Sequence, residues 1–340
     1  MREDGVMTAS GPTLRRSRTA AGAVAVVLVL GLTAGCSTAP DRGRRAPSPS
    51  AAPTSAPASD PTSGPGADPT GTGTSPPPLV SRDPATLAAQ LRDVAAVLRL
   101  PDPDPARLGA AGELHQLVVL ALATAPPRVR REVDDRLPGL LRELVDAEVR
   151  AAIDLRGLTR PQPKLPRWRI VDPPSPDELL ACYRRAERRT GVPWTYLAAI
   201  HLVETRMGRI RGTSTAGARG PMQFMPGTWD LYGAGGDIED PADAVLAAGR
   251  LLAAHGAPRD MAGALWHYNH AAAYVRAVTE YARTLERWPQ VYRSYWQWRV
   301  LYRHVRGTYV LPVGYPRVRP QAVALPWSGR GRALSADRHR

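Results

Sequence analysis

The chain is poor in several residues that would open other readings. Among its 340 residues it has one lysine, Lys164, one phenylalanine, Phe224, and two cysteines, Cys36 and Cys182. Two thiols cannot build a disulfide framework, so the folded part must hold together through its core. Acids are scarce beside bases: 31 Asp and Glu against 45 Lys and Arg, a formal charge of +14 carried almost wholly by arginine. Four Arg and two acids lie in residues 1–35, so the remainder keeps +12. Such a balance suits anionic wall polymers or anionic lipid. No nucleic-acid motif accompanies it, and a nucleic-acid partner is not expected. There is no H-E-x-x-H, and Gly233 to Asp240 has neither the length nor the ligand spacing of a calcium loop. No metal or cofactor is therefore expected.

The apolar run near the N-terminus, Ala20 to Ala34, is 15 residues. A membrane span needs about 20. Arg15, Arg16 and Arg18 precede the run, as in a secretory signal. It ends Leu32-Thr33-Ala34-Gly35-Cys36, small residues before a Cys, which resembles the lipobox at which bacteria attach lipid. An uncleaved signal anchor with an incidental Cys is the plainer alternative. Either exports the chain, giving an extracytoplasmic protein held at the membrane and facing the wall. Residues 36–80 are nearly all Ala, Pro, Ser, Thr, Gly and Asp, too polar to bury a core, and predict a disordered tether. With Cys36 lipidated, Cys182 is alone, and its helical context predicts a small buried hydrophobe.

Two folded parts follow. Residues 83–156 read as a helical module of about four helices. Asp83-Pro84 and Asp104-Pro105 are start signals. Leu87, Leu91, Val94 and Leu98 recur at helical spacing, as do Leu108, Ala111, His115, Val118 and Leu122. His115 reads as a packed residue of an apolar face. Residues 157–174, with five prolines, form a linker wrapping onto residues 175–287. That second part opens with a capping box, Ser175 and Glu178, and a helix closed by Gly191. In the next helix Tyr196, Ile200 and Val203 mark the buried face, Glu204 comes late, and Gly208 ends it. Further helices start at Pro226, Asp240-Pro241 and Pro258, and a last one holds Tyr274, Val278 and Tyr281. Residues 288–340 form a C-terminal extension whose main β signal is a hairpin around Tyr309 to Val313 with Gly314. The fold class is mainly α.

The chemistry concentrates between Glu204 and Asn269. A lone Glu late in a helix is usually a solvated surface acid. Here Val203 adjoins it, and Met222, Phe224 and Trp266 are candidates for an apolar wall that would raise its pKa. Sixteen residues on comes Gly220-Pro221-Met222-Gln223, whose glycine permits close backbone approach, and 45 beyond that Tyr268-Asn269. Taken singly, Tyr268 is a core tyrosine and Asn269 a helix C-cap. His267 and His270, like His201 and Glu204, are spaced for one helix face and read as surface histidines. Trp229, Tyr232 and Tyr274 are candidates for stacking on sugars or for the core.

E-T-R-M-G, A-G-A-R-G-P-M-Q-F-M-P and W-H-Y-N at these spacings resemble the catalytic core of the lytic transglycosylases, over roughly residues 175 to 285. The first two look closest to the membrane-bound type B enzymes; the short connection to G-P-M-Q looks more like the soluble type. The resemblance implies a lysozyme-like fold and peptidoglycan glycan strands as the partner. It makes Glu204 the sole catalytic acid and base. Glu204 would protonate the leaving oxygen of the MurNAc–GlcNAc linkage, then take the proton of the C6 hydroxyl as that oxygen attacks C1. The product is 1,6-anhydroMurNAc, with the substrate's acetamido group stabilising the intermediate. The same matching puts Met222 and Gln223 at the sugar site, with Gly220 and Phe224 beside them. Tyr268 takes the position of the tyrosine that orients the acid, Asn269 that of the accompanying amide, and Ser214 that of a serine near the acetamido group. A hydrolytic muramidase and a wall-binding scaffold that does not cut are the alternatives.

Overall fold

The computed structural model describes residues 77–328. The segment read as a secretory signal, Cys36 and almost all of the expected tether lie outside the described residues, as does the end of the expected extension. Four helices come first: α1 (Pro84–Leu98), α2 (Pro105–Thr124), α3 (Pro127–Asp134) and α4 (Gly139–Gly157). Asp83 and Asp104 cap the first two, each side chain accepting the backbone N–H three residues on. This satisfies an amide that the helix cannot pair internally. The prolines that follow each cap need no amide partner. Leu87, Leu91, Val118, Val133, Leu141 and Val145 fill a core between these four helices.

The proline-rich segment then enters strand β1 (Arg169–Ile170), which pairs antiparallel with β2 (Ile210–Arg211) just beyond Glu204. Next come α5 (Pro176–Thr190), α6 (Trp194–Thr205), α7 (Pro226–Tyr232), α8 (Pro241–Ala254), α9 (Met261–Tyr268), α10 (Ala272–Arg287) and α11 (Val291–Gln297). The capping box of α5 forms in full, and Gly191 closes the helix at φ +73°. Helix α6 is the centre of the molecule: all twelve of its residues are buried, and α5, α8 and α10 pack around it. The sequence marked only one buried face, but a helix surrounded on every side has no solvent face to keep polar. It also ends earlier than expected, at Thr205 rather than Gly208. Arg206, Met207 and Gly208 follow at φ 55°, 58° and 85°, a left-handed run that turns the chain sharply.

The last element of the described residues is an antiparallel sheet of β3 (Val300–His304), β4 (Gly307–Leu311) and β5 (Gln321–Val323), in that order. The hairpin is there but its turn is not where the sequence put it. The β3–β4 pairing runs from Val300↔Leu311 to His304↔Gly307, so Val305 and Arg306 make the turn. Gly314, at φ +87°, instead shapes the turn after β4, and its N–H bonds the Ile170 carbonyl at 2.9 Å. Both faces of the sheet are covered. Val300, Tyr302 and Leu311 pack with Ile170 and Ile210, while Leu301, Val310 and Val323 pack with Leu117 of α2. Mainly helical architecture with a small terminal sheet is thus the fold. Among the described residues no helix is long and apolar enough to cross a membrane.

Candidate active site

Glu204 is fully buried one residue before the end of α6. One carboxyl oxygen, Oε1, accepts a hydrogen bond from the Tyr274 hydroxyl at 2.8 Å. The other, Oε2, is buried without a partner. Burial pushes the acid up to about 8, and the Tyr274 bond pulls weakly the other way. The nearest bases in sequence do not neutralise it. His201, one turn earlier, is itself fully buried and is driven down to about 3, so it stays uncharged; its Nδ1 lies 2.7 Å from the Tyr183 hydroxyl. Arg206 donates to the Leu202 carbonyl at 2.7 Å, with its guanidinium over the Trp298 ring. The carboxyl is therefore neutral at pH 7, with its acidity set by an apolar surround.

The Gly220–Gln223 stretch is a four-residue turn. Arg219 and Phe224 exchange two backbone bonds, 2.8 and 2.9 Å, at its base. Gly220 stands at φ +72°, and a Cβ there would lie 1.9 Å from the Ile238 carbonyl oxygen, so only glycine fits. Gln223 adopts φ +52°, and its side-chain nitrogen donates back to the Gly220 carbonyl at 2.9 Å. The two middle carbonyls are pinned from two sides. Thr205 Oγ1 donates to the Pro221 carbonyl at 2.6 Å and receives the Gly208 N–H at 3.1 Å. The Tyr268 hydroxyl donates to the Met222 carbonyl at 2.7 Å. The turn is thus bolted to the end of α6 and the end of α9.

Several sequence readings change here. The hydrogen bond expected from Tyr268 to the acid comes from Tyr274; Tyr268 holds the turn and lies parallel to Tyr274 at 6.4 Å. Burial keeps both phenols protonated, with Glu204 adding to the effect, so both remain donors. Met222 and Phe224 belong to the buried cluster with Val203 and Tyr268, but Trp266 is 43 % exposed and does not wall the acid. Gln223 is buried, its amide turned inward. Asn269 is buried at the end of α9, where its backbone caps the helix. Ser214 is partly exposed and holds its own loop, its hydroxyl accepting the Ala218 N–H at 2.9 Å. His201 is buried, not on a surface, and Cys182 is only partly buried. Among the described residues no group of three or more His, Cys, Asp or Glu is arranged for a metal ion.

Sequence reasoning missed Thr205, and it offered Tyr274 only for sugar stacking or the core, not for a bond to the acid. Thr205 adjoins Glu204 in E-T-R, where a hydroxyl in a last turn is a usable signal. Nothing in the spacing of Tyr274 separates a hydrogen-bonding role from core packing.

No curated protein and no solved structure matches the chain. One family model does: residues 181–291, from within α5 to the start of α11, match the transglycosylase SLT domain. That match takes in Glu204, the 220–223 turn, Tyr268 and Tyr274, and it supports for this part of the chain a lytic transglycosylase assignment, a domain that breaks glycosidic bonds in peptidoglycan.

Proposed function

We propose that the chain is a peptidoglycan lytic transglycosylase that cleaves the MurNAc–GlcNAc β-1,4 bond without water, leaving 1,6-anhydroMurNAc ends during wall remodelling. The observation that carries this reading is the state of Glu204: buried, uncharged at neutral pH, one oxygen held and the other unpaired. A neutral carboxyl whose Oε1 accepts from Tyr274 has its proton on Oε2. That proton passes to the glycosidic oxygen as the C1–O bond breaks. The substrate's acetamido oxygen bonds to C1 as the leaving sugar departs, which removes the need for a second carboxylate. The carboxylate then takes the C6 hydroxyl proton, O6 bonds to C1, and the acetamido group is released. Glu204 ends as it began.

Gly220, Met222, Gln223 and Phe224 supply the turn against which the sugar would lie, with Tyr268 holding its far side, Asn269 next to it in the chain and Ser214 in the connecting loop. The resemblance of the motifs and the family match support these roles. Lipidation at Cys36 would hold the enzyme on the outer side of the membrane, and the +14 charge would favour anionic wall polymers around the substrate. The test is mass spectrometry of muropeptides released from purified peptidoglycan. Products ending in anhydroMurNAc, one water lighter than reducing ends, are expected. Reducing ends would make the enzyme a muramidase, and wall binding without release would make it a scaffold.

A further inference from the structure

Outside the Glu204 site lies a row of rings contributed by α8 and the two helices that pack against it, α7 and α9. Tyr232 ends α7, His255 caps the C-terminus of α8, Trp266 and His267 lie in the last turn of α9, and His270 follows it. The His255 and His267 rings are stacked, 4.0 Å apart and 16° from parallel. His270 lies 6.2 Å from His267 and meets Trp266 edge-on at 5.7 Å. The Tyr232 hydroxyl is 3.2 Å from His255 Nε2. Three of the seven histidines of the chain thus share one strip. The strip adjoins the site: Tyr268 and Asn269 stand between His267 and His270 in the chain, and Trp229, on the helix of Tyr232, meets Phe224 at 5.4 Å.

We propose that Trp266, His270, His267, His255 and Tyr232 form a second binding surface for a sugar strand bearing an acidic group, one that holds the strand more tightly when His255 is protonated. This rests on peptidoglycan as the substrate. Trp266 is 43 % exposed, and an indole with a free face is a platform for a sugar ring. His255 supplies the charge, and the His267 and His270 rings line the strip beside it. An anion laid against the His255 ring favours its charged form. Burial, then the neighbouring His267, lowers the His255 pKa. The groups facing His255 are His267 on α9 and Tyr232 on α7; Arg250, one turn back on α8, is held by the Tyr232 and Gly233 carbonyls. Among the described residues no carboxylate pairs with the three imidazoles. The C-terminus of α8, where His255 sits, favours added positive charge there. Anion binding and protonation are therefore linked, and affinity rises as pH falls.

The test measures equilibrium binding of soluble, uncross-linked glycan strands to the full-length chain carrying Glu204→Gln, which removes the titration of the acid itself. Binding is expected to be about tenfold tighter at about pH 5 than at about pH 8, equivalent to one unit of pKa shift on binding. Trp266→Ala should weaken binding about tenfold at both pH values. His255→Gln should abolish the pH dependence while leaving the thermal melting curve in place. Strands stripped of peptides, and strands freed of phosphate polymers, identify which acidic group is read: stem carboxylate, muramic carboxylate or phosphate. Unchanged binding in both variants, with a wild-type chain that still cuts peptidoglycan, overturns this surface alone. A wild-type chain that neither cuts nor binds overturns the peptidoglycan reading and this one with it.

Discussion

At the scale of single residues, one carboxyl governs both chemistry and stability. Glu204 has an ordinary value near 4.5 when unfolded and about 8 when folded. The folded state therefore favours the protonated form. Its contribution is fully present below about pH 4.5 and is lost as pH rises through about 8. The whole swing is on the order of 5 kcal/mol, since each unit is about 1.4 kcal/mol. Glu204→Gln keeps the shape and removes the titration. Its melting temperature should match the wild type near pH 4 and exceed it near pH 9, while bond cleavage falls by about a thousandfold or more. A variant that melts in parallel with wild type at every pH would mean that the acid is not held in an apolar surround. Tyr274→Phe tests the other half. The Tyr274 bond lowers the Glu204 pKa, so its loss raises it, and the basic limb of the pH–rate profile should move to higher pH as the rate drops about tenfold to a hundredfold. A rate loss with an unmoved limb would assign Tyr274 to packing alone.

At the scale of elements, the site depends on a turn bolted between two helices. Gly220→Ala would drive a methyl into the Ile238 carbonyl at a positive φ, so backbone must move. A loss of about 3 kcal/mol or more is expected, read as a drop in the denaturant midpoint. Near-normal stability would show that the turn is free to shift. The sequence announced most of these elements, because their signals are local. Asp83, Asp104, Ser175 and Asp240 cap the helices they precede, and Gly191 ends α5 at a positive φ, as read. The signals that failed are not local. The buried back of α6 depends on α5, α8 and α10 closing around it. The hairpin turn Val305-Arg306 carries neither Gly nor Asn, so a distant Gly314 drew the assignment. The exchange of Tyr268 for Tyr274 has the same origin. Both tyrosines are fully or nearly fully buried, and only the path of the chain between α9 and α10 decides which hydroxyl meets the acid.

At the scale of the molecule, the first four helices are joined to the rest by core, not by a tether. Val94, Val97, Leu98, Ala111, Ala151 and Leu155 belong to the same buried cluster as Glu204's neighbours Val203, Tyr268 and Tyr274. Helix α4 lies along α10, the helix that carries Tyr274, with ion pairs Arg150–Glu280 and Arg276–Asp154 at the rim. Further in, Glu148 of α4 accepts from the Tyr295 hydroxyl at 2.6 Å and lies 2.8 Å from His115, whose other nitrogen is 2.8 Å from Ser294. Removing one side would leave the other with buried polar groups unpaired, a large cost in a dry interior. The six apolar residues alone account for roughly 5–10 kcal/mol of burial. That is as large as the net stability of an ordinary domain, about 5–15 kcal/mol. A fragment beginning at Leu158 should therefore fail to unfold cooperatively, whereas residues 77–328 should melt in one transition by calorimetry and by far-ultraviolet circular dichroism together. A fragment that melts sharply and still cuts would detach the first four helices from the chemistry. Two separate transitions in the longer chain would show that the shared core does not couple the two parts.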